Sequence, residues 1–272
     1  MCRPAGMMKK LIALFTFLPT LAAAECGPDA ACDIDGGSYH MLDPGTENAP
    51  ALVFFHGHNA TGQMIFRGGI KSDFADAGYV VIAPNGTPIP GRDSRRWAGR
   101  EGSGRDDIGF VLDVVADAKT RASIDPDRIY VAGFSAGGSM AWLMACKAAD
   151  AFAGFASIAG ALREPNDTTD CPNAPVRFLQ IHGFADNQVP FEGRAIRDWH
   201  QGSLWDSLAL ARQANQCRTH PDRIDMGDRF RCREWNDSCE AGAITFCEHD
   251  GGHGMPRGWT TLARDFFEDT KR

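Results

Sequence analysis

The segment 128–142, RIYVAGFSAGGSMAW, constrains the fold of this chain more than any other stretch. RIYVA is an apolar run typical of a buried strand, and SMAW begins a run of small and apolar residues typical of a buried helix. Ser135 lies between them in a G-x-S-x-G turn with Gly133 and Gly137. A serine in such a strand–turn–helix unit takes a strained conformation that exposes its hydroxyl, and small neighbours let the strand and helix approach. The pattern predicts Ser135 as a nucleophile; the alternative is a glycine-rich connection with an incidental serine.

Short apolar runs alternate with helical segments along the rest of the chain. Unbroken apolar runs bounded by Gly, Pro or Asn are typical of strands buried on both faces of a parallel sheet. The alternation predicts an α/β fold, a doubly wound, mostly parallel sheet with helices on both faces. The predicted strands are 51–56, 79–83, 128–132, 155–158, 176–182 and 243–248, and the predicted helices are 62–77, 107–121, 136–149, 204–215 and 260–268.

The first 24 residues are predicted to be a secretory signal peptide. Two lysines precede an apolar run at 11–21, and three consecutive alanines that end at Ala24 provide a cleavage site. The run is too short for a membrane-spanning helix. We therefore expect cleavage after Ala24, a secreted or periplasmic protein without a membrane anchor, and a single domain over 25–272.

The balance of charges argues against a nucleic-acid partner. The chain has 28 basic and 35 acidic residues, a formal net charge of −7 at pH 7. Removal of residues 1–24 takes away three basic residues and no acidic one, which makes the net charge −10. Nucleic-acid binding depends on basic surfaces, so none is predicted here.

Eight of the nine cysteines follow the predicted signal peptide. An even number in an exported chain favours disulfides, although eight cysteines allow more than a hundred pairings. A zinc site of the C-terminal cysteines with His249 and His253 is the alternative, but no C-x2-C pair is present and the compartment is oxidising. Predicted proximity favours the pairs Cys26 with Cys32, Cys146 with Cys171, Cys217 with Cys239, and Cys232 with Cys247.

A nucleophilic serine needs a base, and in folds with this turn an acid and then a histidine follow it along the chain. Asp186 follows the predicted strand 176–182, at the sheet edge where α/β active sites form. His253, with a glycine on either side, follows the last predicted strand, and His249 is the alternative histidine. We therefore predict a triad of Ser135, His253 and Asp186; the alternative for Asp186 is a solvated turn residue.

Two backbone N–H groups are expected to stabilise the oxyanion that forms in serine catalysis. One belongs to Ala136 at the start of the predicted helix, and the other to His58, where Gly57 permits close backbone approach. His56 and His58 also resemble a metal pair, but no third ligand is evident and serine catalysis needs no metal. Neither a metal nor another cofactor is predicted.

The motifs, taken in order, resemble the secreted polyhydroxybutyrate-depolymerase and feruloyl-esterase-like branch of the α/β-hydrolases. The resemblance covers about residues 37–270 and implies carboxylic-ester hydrolysis through an acyl-enzyme, with Ser135, Asp186 and His253 as the triad. It also supports the pairing of Cys146 with Cys171. Members of this branch often have an aromatic residue soon after the histidine, where this chain has Gly-Met-Pro. The motifs are FFHGHN, APNGT, DDIGF, IDPDRIYVAGFSAGGSMAW, ASIAG, IHGFADNQVPFEG and GGHGMP.

Large apolar side chains near the predicted site indicate a pocket for a planar acyl group or a hydrophobic polyester. We assign Phe134, Trp97, Phe191 and Met255 to this pocket, and core packing is the alternative for Trp97 and Phe191. The predicted partner is an ester substrate, and a polyester oligomer, an esterified plant polysaccharide and a small ester all stay open. Two other functions stay open, a non-catalytic binder of polysaccharide or polymer with this fold and a serine peptidase with the same triad.

Overall fold

The computed structural model describes residues 26–98, 104–163, 171, 175–196 and 199–269. The predicted signal peptide at 1–24 lies outside the described residues. Across the described ranges, no helix combines the length and the apolar character that crossing a membrane requires. The strands in these ranges are β1 (Cys32–Ile34), β2 (Gly37–Leu42), β3 (Ala49–Phe55), β4 (Val80–Pro84), β5 (Thr87–Pro88), β6 (Arg95–Arg96), β7 (Ile124–Phe134), β8 (Gly154–Ile158), β9 (Arg177–Gly183), β10 (Ala195–Ile196), β11 (Trp199–His200), β12 (Arg223–Met226), β13 (Arg231–Trp235) and β14 (Ala243–His249).

Ten of these strands form one mixed sheet in the order β1-β2-β4-β3-β7-β8-β9-β14-β13-β12. The six central strands from β4 to β14 are parallel, and each overlaps one of the six predicted apolar runs. Antiparallel strands flank them, β1 and β2 on one side and β13 and β12 on the other. The predicted α/β class with a mostly parallel sheet is confirmed. The four flanking strands were not predicted, because polar residues interrupt their apolar runs.

Helices cover both faces of the sheet, as predicted. One face packs against α2, α3 and α4, and the other packs against α1 and α5. Successive residues of β3 alternate between the two cores, Val53 and Phe55 on the first and Leu52 and Phe54 on the second. The helices are α1 (Ile70–Phe74), α2 (Asp107–Arg121), α3 (Ala136–Lys147), α4 (Leu204–Ala214) and α5 (Trp259–Glu268).

The prediction of one continuous helix over 62–77 is wrong. The segment forms a 3-10 helix at Gly62–Arg67, then α1, then a second 3-10 helix at Ala75–Ala77. The consecutive glycines Gly68 and Gly69 separate the first two pieces. Glycine disfavours a helix interior by about 1 kcal/mol relative to alanine, so the pair is a natural interruption.

Four disulfides link the eight described cysteines in the pairs that the sequence favoured: Cys26–Cys32, Cys146–Cys171, Cys217–Cys239 and Cys232–Cys247. The last pair joins residues directly opposite each other on β13 and β14. All four C-terminal cysteines are engaged in these bonds, so the thiolates that the zinc alternative needs are already used.

We expect joint substitution of Cys232→Ala and Cys247→Ala to lower the free energy of unfolding by about 2–4 kcal/mol, because the link restricts the unfolded chain. Denaturant unfolding without reductant measures this change. Peptide mapping without reduction is expected to return four linked peptide pairs. Alkylation of any of the eight cysteines before reduction would contradict these linkages.

Candidate active site

Ser135 lies at the sharp turn between β7 and α3, with φ 57° and ψ −117°. A positive φ is uncommon for a residue with a side chain and marks local strain. The serine N–H donates to the carbonyl oxygen of Ile158 at 2.8 Å, which fixes the turn against β8. A Cβ atom at Gly137 would collide with the carbonyl oxygen of Phe55, and one at Gly133 with that of Gly137. The two glycines therefore allow the strand and helix contact that exposes the serine.

The structure brings the three predicted triad residues together from distant parts of the chain. His253 Nε2 lies 2.8 Å from Ser135 Oγ, and His253 Nδ1 lies 2.8 Å from Asp186 Oδ2. With the imidazole proton on Nδ1, His253 donates to the carboxylate and accepts from the serine hydroxyl. The alternative, His249, ends β14, and its Nδ1 accepts from the N–H of Gly251 at 3.0 Å. His253 is therefore the histidine that contacts the serine.

The side chain of Asp186 is fully buried and held by the loop that follows β9. Its Oδ1 accepts from the backbone N–H groups of Gln188 and Val189 at 2.9 and 2.8 Å. Burial acts to raise the pKa of Asp186, but the hydrogen bonds from His253 and these N–H groups outweigh it, so the pKa is lowered. The carboxylate is ionised at neutral pH and is not the solvated turn residue of the alternative interpretation.

The two backbone N–H groups predicted to bind the oxyanion belong to segments that lie next to Ser135. Ala136 is the first residue of α3, so its N–H has no partner within the helix. Gly57 lies against the nucleophile, since a Cβ built on it would be 3.7 Å from the Cβ of Ser135. His58 follows directly in the same loop. The assignment of the Ala136 and His58 N–H groups to an oxyanion site stays a prediction.

Buried His56 holds the loop that carries His58. Its Nδ1 donates to the carbonyl of Gly57 at 2.8 Å, and its Nε2 accepts from the N–H of Gly86 at 3.0 Å. Burial lowers the pKa of His56 to about 4, so the ring is neutral. Both ring nitrogens bind backbone groups, which argues against the metal pair with His58.

The assignment of Trp97 to the substrate pocket is wrong. Only 3% of this residue is exposed, and its Nε1 donates to the carbonyl of His56 at 2.8 Å. Its ring packs edge-on against Phe55 behind the loop. Trp97 follows the ribbon that β5 and β6 form. The N–H of Asn59, the residue after His58, donates to the carbonyl oxygen of Arg95 in this ribbon at 3.1 Å. From the core, Trp97 supports the loop that carries His58.

The other three predicted pocket residues are partly or largely exposed, near the triad or near the loop that carries Asp186. The ring of half-buried Phe134 lies 5.0 Å from the His253 ring, and Met255 is 46% exposed. Half-buried Phe191 stacks on Trp205 with ring centroids 5.1 Å apart. Sequence reasoning missed exposed Trp205, whose position at the start of α4 gives no signal.

Phe184 was also missed, although its position between the predicted strand and Asp186 was a usable signal. It is 68% exposed, and its ring centroid lies 6.4 Å from that of Phe191. Phe184, Phe191 and Trp205 thus form a contiguous aromatic surface on the side of the triad acid. Such a surface suits apolar or planar parts of a substrate.

The ring of His58, in the loop that follows β3, lies close enough to positively charged groups for them to affect its pKa. Partial burial is the main cause that lowers the pKa of His58, and the charges of Arg163, Arg92 and Arg96 lower it further. The His58 ring is therefore neutral at neutral pH. The nearby guanidinium groups favour negative charge beside the predicted oxyanion loop, although the whole chain is acidic.

Curated proteins with similar sequences include several that are esterases by name. A putative esterase NocK of Nocardia uniformis is 42% identical over 87 residues, 32% of this chain and 25% of the relative. A probable feruloyl esterase C of Aspergillus niger is 29% identical over 194 residues, 70% of this chain and 63% of the relative. The chain thus spans less than two thirds of the length of either relative.

The overall fold also occurs in a solved structure, the acetyl xylan esterase from Aspergillus awamori, with a TM-score of 0.64. The match covers 85% of this chain and 93% of that one at 14% identity, which establishes a shared fold. A family model described as alpha/beta hydrolase fold matches residues 50–195, which is more than half of the chain and includes the serine turn and Asp186. On this match and on its strand order, the chain belongs to the alpha/beta hydrolase family.

Proposed function

We propose that this protein is a serine carboxylic-ester hydrolase that works through an acyl-enzyme. The observation that carries the proposal is the continuous hydrogen-bonded chain from Ser135 through His253 to a buried, ionised Asp186, at a turn that strains the serine backbone. Nucleophile, base and orienting acid are the three roles that such catalysis requires. The names of the relatives support an ester, rather than a peptide, as the substrate.

The proposed reaction uses only groups of this chain and water. His253 Nε2 takes the hydroxyl proton while Ser135 Oγ attacks the ester carbonyl carbon, and Asp186 stabilises the resulting imidazolium. The N–H groups of Ala136 and His58 bind the tetrahedral oxyanion. The carbon–oxygen bond to the alcohol then breaks, and the imidazolium protonates the alcohol as it leaves. Water, activated by His253, hydrolyses the acyl-enzyme and returns the proton to the serine.

The surroundings of the triad support an ester with an apolar or planar acyl group. The Phe134 ring lies beside the triad histidine, exposed Met255 follows that histidine by two residues, and the aromatic surface of Phe184, Phe191 and Trp205 borders the acid loop. We propose a polyester oligomer or an esterified plant polysaccharide as the substrate. The four disulfides support export to an oxidising compartment, secreted or periplasmic, after cleavage at Ala24.

Covalent labelling tests the reaction class, and an ester panel tests the substrate. A fluorophosphonate is expected to modify Ser135 alone, which mass spectrometry of the peptides detects. Hydrolysis of p-nitrophenyl acetate, methyl ferulate, acetylated xylan and hydroxybutyrate oligomers is then compared by kcat/KM. Tight polymer binding with neither labelling nor hydrolysis would replace the proposal by the non-catalytic binder, and faster cleavage of peptides than of esters would replace it by the peptidase.

A further inference from the structure

A chain of buried polar side chains runs through the core to the loop that carries Asp186. It consists of Trp142 on α3, Gln180 and His182 on β9, and the backbone of Val189. Gln180 and His182 have no exposed surface, and Trp142 is 3% exposed. Burying three polar side chains is costly unless each is hydrogen-bonded. The mechanism above does not use any of these side chains, although they lead directly to the triad acid.

The hydrogen positions in this series of hydrogen-bonded residues follow from one group that can only donate. The indole Nε1 of Trp142 lies 2.8 Å from Gln180 Oε1, which must therefore be the amide oxygen. The amide nitrogen of Gln180 then faces His182 Nδ1 at 3.0 Å, so Nδ1 accepts a hydrogen bond. The single proton of a neutral His182 ring is consequently on Nε2. Burial lowers the pKa of His182, which keeps the ring neutral.

The Nε2–H of His182 is directed at the acid loop. It donates to the carbonyl oxygen of Val189 at 2.7 Å, and Asp186 Oδ2 lies 3.5 Å from the same nitrogen. The N–H of Val189 donates to the other carboxylate oxygen at 2.8 Å. Val189 therefore links the ring to the carboxylate through both of its backbone polar groups. Oδ2 is also the atom that accepts from His253.

We propose that His182 is a positioning residue that holds the Asp186 carboxylate in the orientation in which Oδ2 accepts from His253. Its Nε2–H fixes the Val189 peptide and lies beside Oδ2, and Gln180 and Trp142 fix its tautomer. The kinetic consequences of this inference rest on the proposed function. The hydrogen-bond arrangement of His182 involves no substrate, so it can be tested separately.

Two substitutions of His182 separate positioning from packing. His182→Leu keeps an apolar core residue but removes the donor, and kcat is expected to fall on the order of 10- to 100-fold with KM nearly unchanged. His182→Gln retains a donor and an acceptor, and we expect kcat within about threefold of the wild type. His40→Leu is the matched control, because His40 is a buried histidine whose ring contacts a carbonyl group, that of Gly27, and it lies on β2, which two strands separate from β7 in the sheet.

A double-mutant cycle with Asp186→Asn shows whether His182 acts through the acid. Residues that act as one unit have non-additive effects. In the Asp186→Asn background, His182→Leu is therefore expected to change kcat by about twofold or less. An equal loss in both backgrounds would overturn the proposal and leave His182 a structural residue. An unaltered kcat in a folded His182→Leu protein would overturn it as well.

A spectroscopic measurement tests the arrangement without any esterase activity. In protein with ¹⁵N-labelled histidine, the His182 signals, assigned by their loss in His182→Gln, are expected to show a neutral ring protonated on Nε2 near neutral pH. A ring protonated on Nδ1, or a charged ring, would overturn the positioning proposal. If the signals agree while no ester is hydrolysed, the proposed function fails and the buried arrangement stands.

Discussion

Ser135→Ala is expected to lower kcat for p-nitrophenyl butyrate by about 10⁶-fold while the thermal unfolding midpoint changes little. The substitution removes the atom that forms the acyl-enzyme, so only the oxyanion donors and substrate binding remain to assist water. Within the described part of the chain, Ser135 Oγ hydrogen-bonds only to His253, so its loss leaves no buried group of the core unpaired. Alanine faces the same positive φ as serine. Initial rates with each variant and calorimetry measure the two effects.

Ser157→Ala is the matched control for this result. Ser157 is a buried serine on β8, the strand beside β7, and its hydroxyl has no hydrogen-bond partner in the described residues. Removing an unpaired buried hydroxyl costs little stability, so activity is expected to stay near the wild-type level. Hydrolysis and fluorophosphonate labelling that persist in Ser135→Ala would remove Ser135 from the mechanism.

The central sheet and the triad were predictable because both depend on local sequence patterns. Strands buried on both faces must be apolar throughout, which makes β3, β4, β7, β8, β9 and β14 visible as separate runs. Parallel strands bring their carboxyl ends to one edge. Ser135, Asp186 and His253 each follow such a strand, so their convergence needed only the chain order that the serine turn implies.

Contacts between side chains from separate elements were not predictable in the same way. Trp97 has an apolar ring that suits a pocket and a core equally, and only the position of the His56 carbonyl decides between them. The hydrogen bond from Trp142 to Gln180 joins residues 38 positions apart. Neither apolar periodicity nor motif spacing contains such information. The edge strand β12 is exposed along its whole length, so it lacks the apolar run of a buried strand.

Asp186→Asn is expected to lower kcat by about 10⁴-fold, the second-largest loss among the variants considered. In the wild type, the backbone N–H groups of Gln188 and Val189 donate hydrogen bonds to Oδ1. In an asparagine amide only the oxygen can accept these hydrogen bonds, so the oxygen takes the Oδ1 position. The amide nitrogen would then occupy the Oδ2 position and donate to His253 Nδ1. His253 would carry its proton on Nε2 and would be unable to accept the proton of Ser135.

Two measurements test this tautomer argument for Asp186→Asn. Kinetics on p-nitrophenyl butyrate gives the loss in kcat. The ¹⁵N spectra of labelled histidine are expected to show the His253 proton on Nδ1 in the wild type and on Nε2 in the variant. The fold should persist, since asparagine fills the same volume and keeps both backbone hydrogen bonds. The wild-type tautomer in the variant, or a kcat within about tenfold of the wild type, would place the orienting acid elsewhere. The proton on Nδ1 is what allows Nε2 to act as a base, so the ability of Asp186 Oδ2 to accept a hydrogen bond matters more here than the shape of the side chain.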